Sequence, residues 1–212
     1  MQRRSGAPRE DADSRVSTRG VCTSPATKQA LPDIISTNLD VLFCGINPGL
    51  MAAMTGHHFV GRSNRFWQVL HQAGFTPEEL SPQDDHGLLK YGYGITSVIQ
   101  RPTANASELS PREFTLAARG FEQKIAHYQP RFVAFLGKAA YAGMGRLRSV
   151  DWGLQRDRMH GAAVWVLPNP SGRNRSFSLD RLAAAYRELY LEVLATRDGS
   201  GAPHRPTPKA RR

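Results

Sequence analysis

Cysteine is scarce: two residues, Cys22 and Cys44, in a chain of 212. They fall in no Cys-x-x-Cys or Cys/His spacing, which excludes a disulfide framework, a zinc site and an iron–sulfur cluster as organising features. Cys44 sits inside an apolar run and reads as a small buried hydrophobe. Long apolar runs are missing too. None reaches the roughly 18 residues of a membrane-crossing helix, and "MQRRSGAPREDADSRVSTRG" lacks the apolar segment of a signal peptide. A cytoplasmic, nucleoid-associated protein is expected, with no membrane partner. Neither GxSxG, HExxH, GxGxxG nor a Walker Lys-Ser/Thr occurs, so the familiar hydrolase, zinc-protease and phosphate-loop chemistries have no foothold. No metal and no cofactor are expected.

Acidic residues are also few relative to basic ones: 18 Asp and Glu against 28 Lys and Arg, a net charge of +10. That surplus favours a polyanionic partner, nucleic acid or an acidic membrane, and says nothing about fold. Seven of the ten net charges lie in the polar ends, residues 1–30 and 197–212. Both ends read as flexible basic tails. The apolar and charged fractions, 40% and 22%, suit one globular domain over residues 31–196.

Within that domain the punctuation is regular. "LDVLFCGI", "YGYGITSVI", "RFVAFLG" and "AAVWVLP" read as four strands. Between them, "NRFWQVLHQAG" repeats apolar residues at helical spacing and closes on Gly74. Thr76, Pro77 and Glu79 predict a capping box opening a short helix. Ser110, Pro111 and Glu113 repeat the signal before a longer helix that ends near Pro130. "KAAYAGM" starts a further helix after Gly137. In "LDRLAAAYRELYLEVLA", Leu182, Tyr186, Leu189 and Val193 share one face. Strands alternating with helices give an α/β fold, a mostly parallel central sheet covered on both sides. Ligands of such folds bind beyond the carboxyl ends of the strands. Two loops lie there, "GINPG" and "LPNPSG".

Asn47 ends the first strand with an amide that can hold a water or read a heterocycle edge; Asn-Pro-Gly is equally an ordinary turn. Asn169-Pro170 ends another strand, and the two loops could face each other across one crevice. Phe59 could stack on a base or anchor its loop in the core. His58 could donate to a phosphate or a carbonyl. Asn64 and Arg65 could cap the next helix and approach phosphate, while Trp67 reads as core. Ser171 and Gly172 would let backbone N–H groups near a phosphate, with Arg173 and Arg175 just beyond. Carboxylates are absent from this set, so an enzyme built on it would act by positioning and hydrogen bonding.

The run "GINPGL…GHHF…NRFW…AGFT" with "NPSGRNR" resembles the mismatch-specific uracil/thymine DNA glycosylases, within the uracil-DNA glycosylase superfamily. The similarity spans about Leu39 to Leu194, and "GITSVIQRPT" resembles a third segment of that family. The resemblance implies a three-layer α/β/α domain that flips a base out of duplex DNA and hydrolyses its N-glycosidic bond. It implies a monomer acting on double-stranded DNA with G·U or related mismatches. By position, Asn47 would orient the attacking water, and Phe59 would stack on the flipped pyrimidine. Backbone around Gly45, Ile46 and Phe59 would read the base edge, with His58, Thr96, Ser97 and Asn169 beside it. Asn64, Arg65 and the stretch Pro170, Ser171, Gly172, Arg173 and Arg175 would meet DNA. Where bacterial members carry a leucine wedge, Arg173 stands, or Arg175 serves instead; Ser97 stands where the family varies between charged and amide side chains. A non-catalytic binder of mismatched or damaged bases is the alternative expectation. A nucleotide-metabolising enzyme suits the fold but not the charge.

Overall fold

The computed structural model describes residues 30–197; the tails expected at both ends lie outside them, but for Ala30 and Arg197. Five strands form one sheet in the order β2-β1-β3-β5-β4. They are β1 (Val41–Gly45), β2 (Tyr93–Ser97), β3 (Phe132–Leu136), β4 (Gly153–Met159) and β5 (Ala162–Leu167). The first three and β5 pair in parallel; β4 runs antiparallel on the β5 edge.

Every residue of the parallel strands but Gly45 is buried, because helices cover both faces. Alternation then divides each strand between two cores. Val41 and Phe43 join Phe66, Leu70, Leu182 and Tyr186 on one side. Leu42 and Cys44 join Phe114, Phe121, Ile125 and Ala140 on the other. The first layer is α2 (Phe66–Ala73) against α5 (Leu179–Arg197), the second α3 (Pro111–Tyr128) against α4 (Lys138–Gly145). The architecture is therefore the three-layer α/β/α arrangement with a mostly parallel sheet. Phe43 carries the first core, with the rings of Phe66 and Phe75 edge-on at 5.5 and 5.3 Å. Truncating such a ring to alanine costs about 3–5 kcal/mol.

Three local readings change. The capping box at Thr76 does not form: Thr76 donates its hydroxyl to the Glu78 carbonyl. The helical turns start instead at Pro82, after Ser81, and reach Tyr91 as 3-10 turns interrupted by a kink at Asp84. Ser81 carries no capping-box signal in the sequence, because Asp84 and not Glu or Gln stands three residues on. Strand β4, "GLQRDRM", was not expected, because its half-exposed edge position lets polar residues replace the apolar run. It joins β5 through His160 and Gly161, both at positive φ, the geometry of a tight hairpin turn. The short helix α1 (Leu50–Thr55) also follows β1 directly. By contrast, Ser110 and Glu113 close their box reciprocally, and Gly74 caps α2 at φ +95°. Among the described residues no helix is long and apolar enough to cross a membrane.

Candidate active site

The chain leaves β1 toward β2 on one side and later returns to β3 on the other. Connections diverge there, and a crevice must open beyond the carboxyl ends of β1 and β3. A cleft of about 860 Å3 lies at that place. Its lining includes Gly45, Ile46 and Asn47 after β1, Ser97 at the end of β2, Leu136 at the end of β3 and Asn169 after β5. The two Asn-Pro loops thus do border one crevice.

The ladder between β1 and β2 continues past both strands. Val98 and Ile99 donate their N–H groups to the carbonyls of Gly45 and Ile46, and Thr103 donates to Pro48. Asn47 is held inside this extension. Its Nδ2 donates to the Arg101 carbonyl and to Thr103 Oγ1, each at 2.8 Å. A carbonyl can only accept, so the amide nitrogen must face Arg101 and the amide oxygen is left for the cleft. Arg101 is fixed in turn by Glu113 Oε1 at 2.8 Å. That guanidinium, with the Ser110 N–H, holds the Glu113 carboxyl down at about 2. Arg101 and Thr103 were visible only as part of "GITSVIQRPT"; their partnership with Asn47 bridges 54 and 56 residues.

Phe59 has φ +55°, a left-handed backbone uncommon for an aromatic residue. The conformation stacks its ring on Phe66, centroids 4.0 Å apart and planes at 28°, while leaving the ring half-buried in the cleft lining. Its support comes from the preceding residue. The His58 N–H donates to the Asp85 carboxylate at 2.9 Å, and the ring Nε2 donates to the Pro32 carbonyl at 2.8 Å. Burial pushes the His58 pKa down, so the imidazole is neutral with Nε2 carrying its proton. The expected donor to substrate is thereby committed to the protein. The Trp67 indole, in the core, donates to the His58 carbonyl.

The loop after β5 is tied from below. Asn169 Oδ1 accepts from the Ser171 N–H, and its carbonyl accepts from Asn174 Nδ2. Arg65 does not reach outward as expected. Its guanidinium donates to the carbonyls of Ser171, Asn174 and Phe177, with a longer bond to Pro170. Asn64 stands one residue before the N-cap position of α2, which Arg65 occupies, and its Oδ1 accepts from the Phe66 N–H. A side chain on Gly172 would meet Ser63 at 2.4–2.6 Å, so only glycine lets the two loops touch. Arg173 lines the cleft; Arg175 is exposed beyond it. Thr96 stands elsewhere: it is fully buried and bonds Asp33 and Lys124, since alternation turns it away from Ser97.

Chemically the cleft is uncommon. Arg173 is its one charged side chain, and no carboxylate or lysine lines it among the described residues. Nor does any group of three potential metal ligands stand together among those residues. Fold and cleft together define a doubly wound α/β domain with a pocket at its switch point. The Uracil DNA glycosylase superfamily matches residues 32–195, most of the chain, and this protein belongs to that superfamily. It is also similar to the solution NMR structure of a candidate uracil DNA glycosylase from Methanosarcina acetivorans, at 21% identity and a TM-score of 0.52. That similarity covers 77% of this chain and 98% of the other, and it speaks for the fold.

Proposed function

We propose that this protein is a monofunctional DNA glycosylase that excises uracil from mismatched duplex DNA, G·U above all, and so opens base excision repair. Membership of the superfamily supports the class. The observation that carries the particular reading is Asn47: an amide locked by two short hydrogen bonds, its oxygen turned to a cleft that no carboxylate lines among the described residues.

An extruded uracil would lie against Phe59, backed by Phe66, with backbone donors of Ile46 and Phe59 toward its oxygens. The C1′–N1 bond breaks with its electron pair passing to the base, where those donors stabilise the delocalised anion. A water held by the Asn47 oxygen forms the new bond to C1′ and gives its proton to solvent. An amide orients that water but cannot take its proton, so positioning supplies the catalysis. Among the described residues no lysine lines the cleft to form a Schiff base, which supports hydrolysis without strand cleavage. A mispaired base is cheaper to extrude, favouring mismatches. The cleft is near the upper end of small-molecule sites, which run to about 1,000 Å3; thymine and ethenocytosine are the further substrates to test. Ser171, Gly172 and Arg173 would meet the phosphates and fill the vacated stack.

The test is release of free base from G·U, A·U, G·T and ethenocytosine duplexes under single turnover. Wild type should release uracil from G·U, and Asn47→Ala should lose about 10²-fold while still binding the duplex. Tight binding by wild type without base release would establish the non-catalytic binder instead.

A further inference from the structure

Beyond the cleft, the same rim of the sheet carries a second cluster that the reaction does not use. Lys138 opens α4, Trp152 precedes β4, Phe177 lies in the loop after β5, and Arg181 stands in the first turn of α5. Because β4 is antiparallel, its start lies at the carboxyl ends of the parallel strands, and all four residues share that rim. Lys138 Nζ sits over the Trp152 ring, 4.5 Å from its centre. The Trp152 and Phe177 rings meet edge-on at 5.5 Å, and the Arg181 guanidinium lies 5.3 Å from the Phe177 ring centre. The result is a cation–ring–ring–cation row. It is joined to the cleft loop, since the Phe177 carbonyl accepts from Arg65, which also holds Ser171 and Asn174.

Three features set this row apart from core packing. Trp152 is 44% exposed, whereas Trp67 and Trp165 are 5% and 7% exposed. Lys138, Arg173, Arg175 and Arg181 form no ion pair with any described residue. The nearest acidic residues in sequence, Asp151 and Asp180, leave them a positive excess. An exposed Trp152 ring, backed by the half-buried Phe177 and flanked by unpaired cations, suits a chain of phosphates carrying flat, partly apolar sugars and bases.

We propose that the row Lys138–Trp152–Phe177–Arg181 is a second DNA-contact surface, gripping the duplex flank beside the cleft. It rests on the reading of the protein as a DNA-acting enzyme. Lys138 and Arg181 take backbone phosphates and the two rings pack against the sugars between them. Contacts of this kind are blind to sequence, so the surface governs affinity and footprint but not the chemical step.

The experiment uses the full chain with long duplexes, one carrying a central G·U and one fully paired. Binding is followed by anisotropy across a salt series and by tryptophan emission. Wild-type emission should fall on binding, through Trp152, and Trp152→Phe should abolish that change. Lys138→Ala/Arg181→Ala should weaken both duplexes several-fold and lower the salt slope by about two. The single-turnover rate at saturating enzyme should stay at the wild-type value. An unchanged salt slope with unchanged Trp152 emission would overturn the surface, even if uracil is released normally. Wild type that binds duplex through this row yet releases no base would instead overturn the glycosylase reading alone.

Discussion

At the scale of single residues, the site turns on the orientation of one amide. Thr103 Oγ1 supplies one of the two 2.8 Å partners of the Asn47 nitrogen. Thr103→Val keeps the shape and removes the acceptor, freeing the amide to rotate. With about 1 kcal/mol lost from positioning, base release should slow by about fivefold with KM unchanged, and Thr103→Ser should restore it. Single-turnover and steady-state rates on a G·U duplex check this. Asn47 itself was legible because it ends an apolar strand beside Pro48 and Gly49. Its partners were not, because nothing local links Arg101 and Thr103 to a residue so far back in the chain. Likewise, the partner of the His58 ring was not legible, because the Pro32 carbonyl reaches it from another segment.

At the scale of elements, two loops form one wall because Gly172 lies directly on Ser63. Gly172→Ala would force them apart, since a new methyl cannot sit 2.4–2.6 Å from backbone and side-chain atoms. We expect DNA affinity to fall with little change in far-ultraviolet dichroism. Adding Ser63→Gly should recover part of the loss, because two of the three clashing atoms disappear. Arg65 stitches the same loop, and Arg65→Ala should lower unfolding free energy by about 2 kcal/mol, measured in urea. Helices α2 to α5 and the parallel strands were legible from period and caps, whereas α1 and the turns after Ser81 were not. The edge strand β4 escaped because exposure relaxes its pattern, and Arg65 because a guanidinium between helix and loop looks the same in sequence whether it faces phosphate or carbonyls.

For the whole molecule, stability should bend with pH through His58. Burial lowers its pKa below 6.5 in the folded state, against the opposing pull of the Pro32 carbonyl and of Asp85 and Asp33. Between the two pKa values the unfolded chain binds more protons, so stability is full above about 6.5 and declines as pH falls below it. Urea denaturation across that range should show the decline in wild type and a shallower one in His58→Gln. Layer order, strand direction and the cleft's place at strand ends were all legible from the alternation of elements, which is a property of the chain as a whole.

The cleft draws its lining from the ends of four strands, the first and last more than a hundred residues apart. No fragment of the chain therefore contains the whole pocket. Occupancy of the cleft is thus a probe of global integrity. A base or short duplex seated there should raise the melting temperature of the entire domain as one transition.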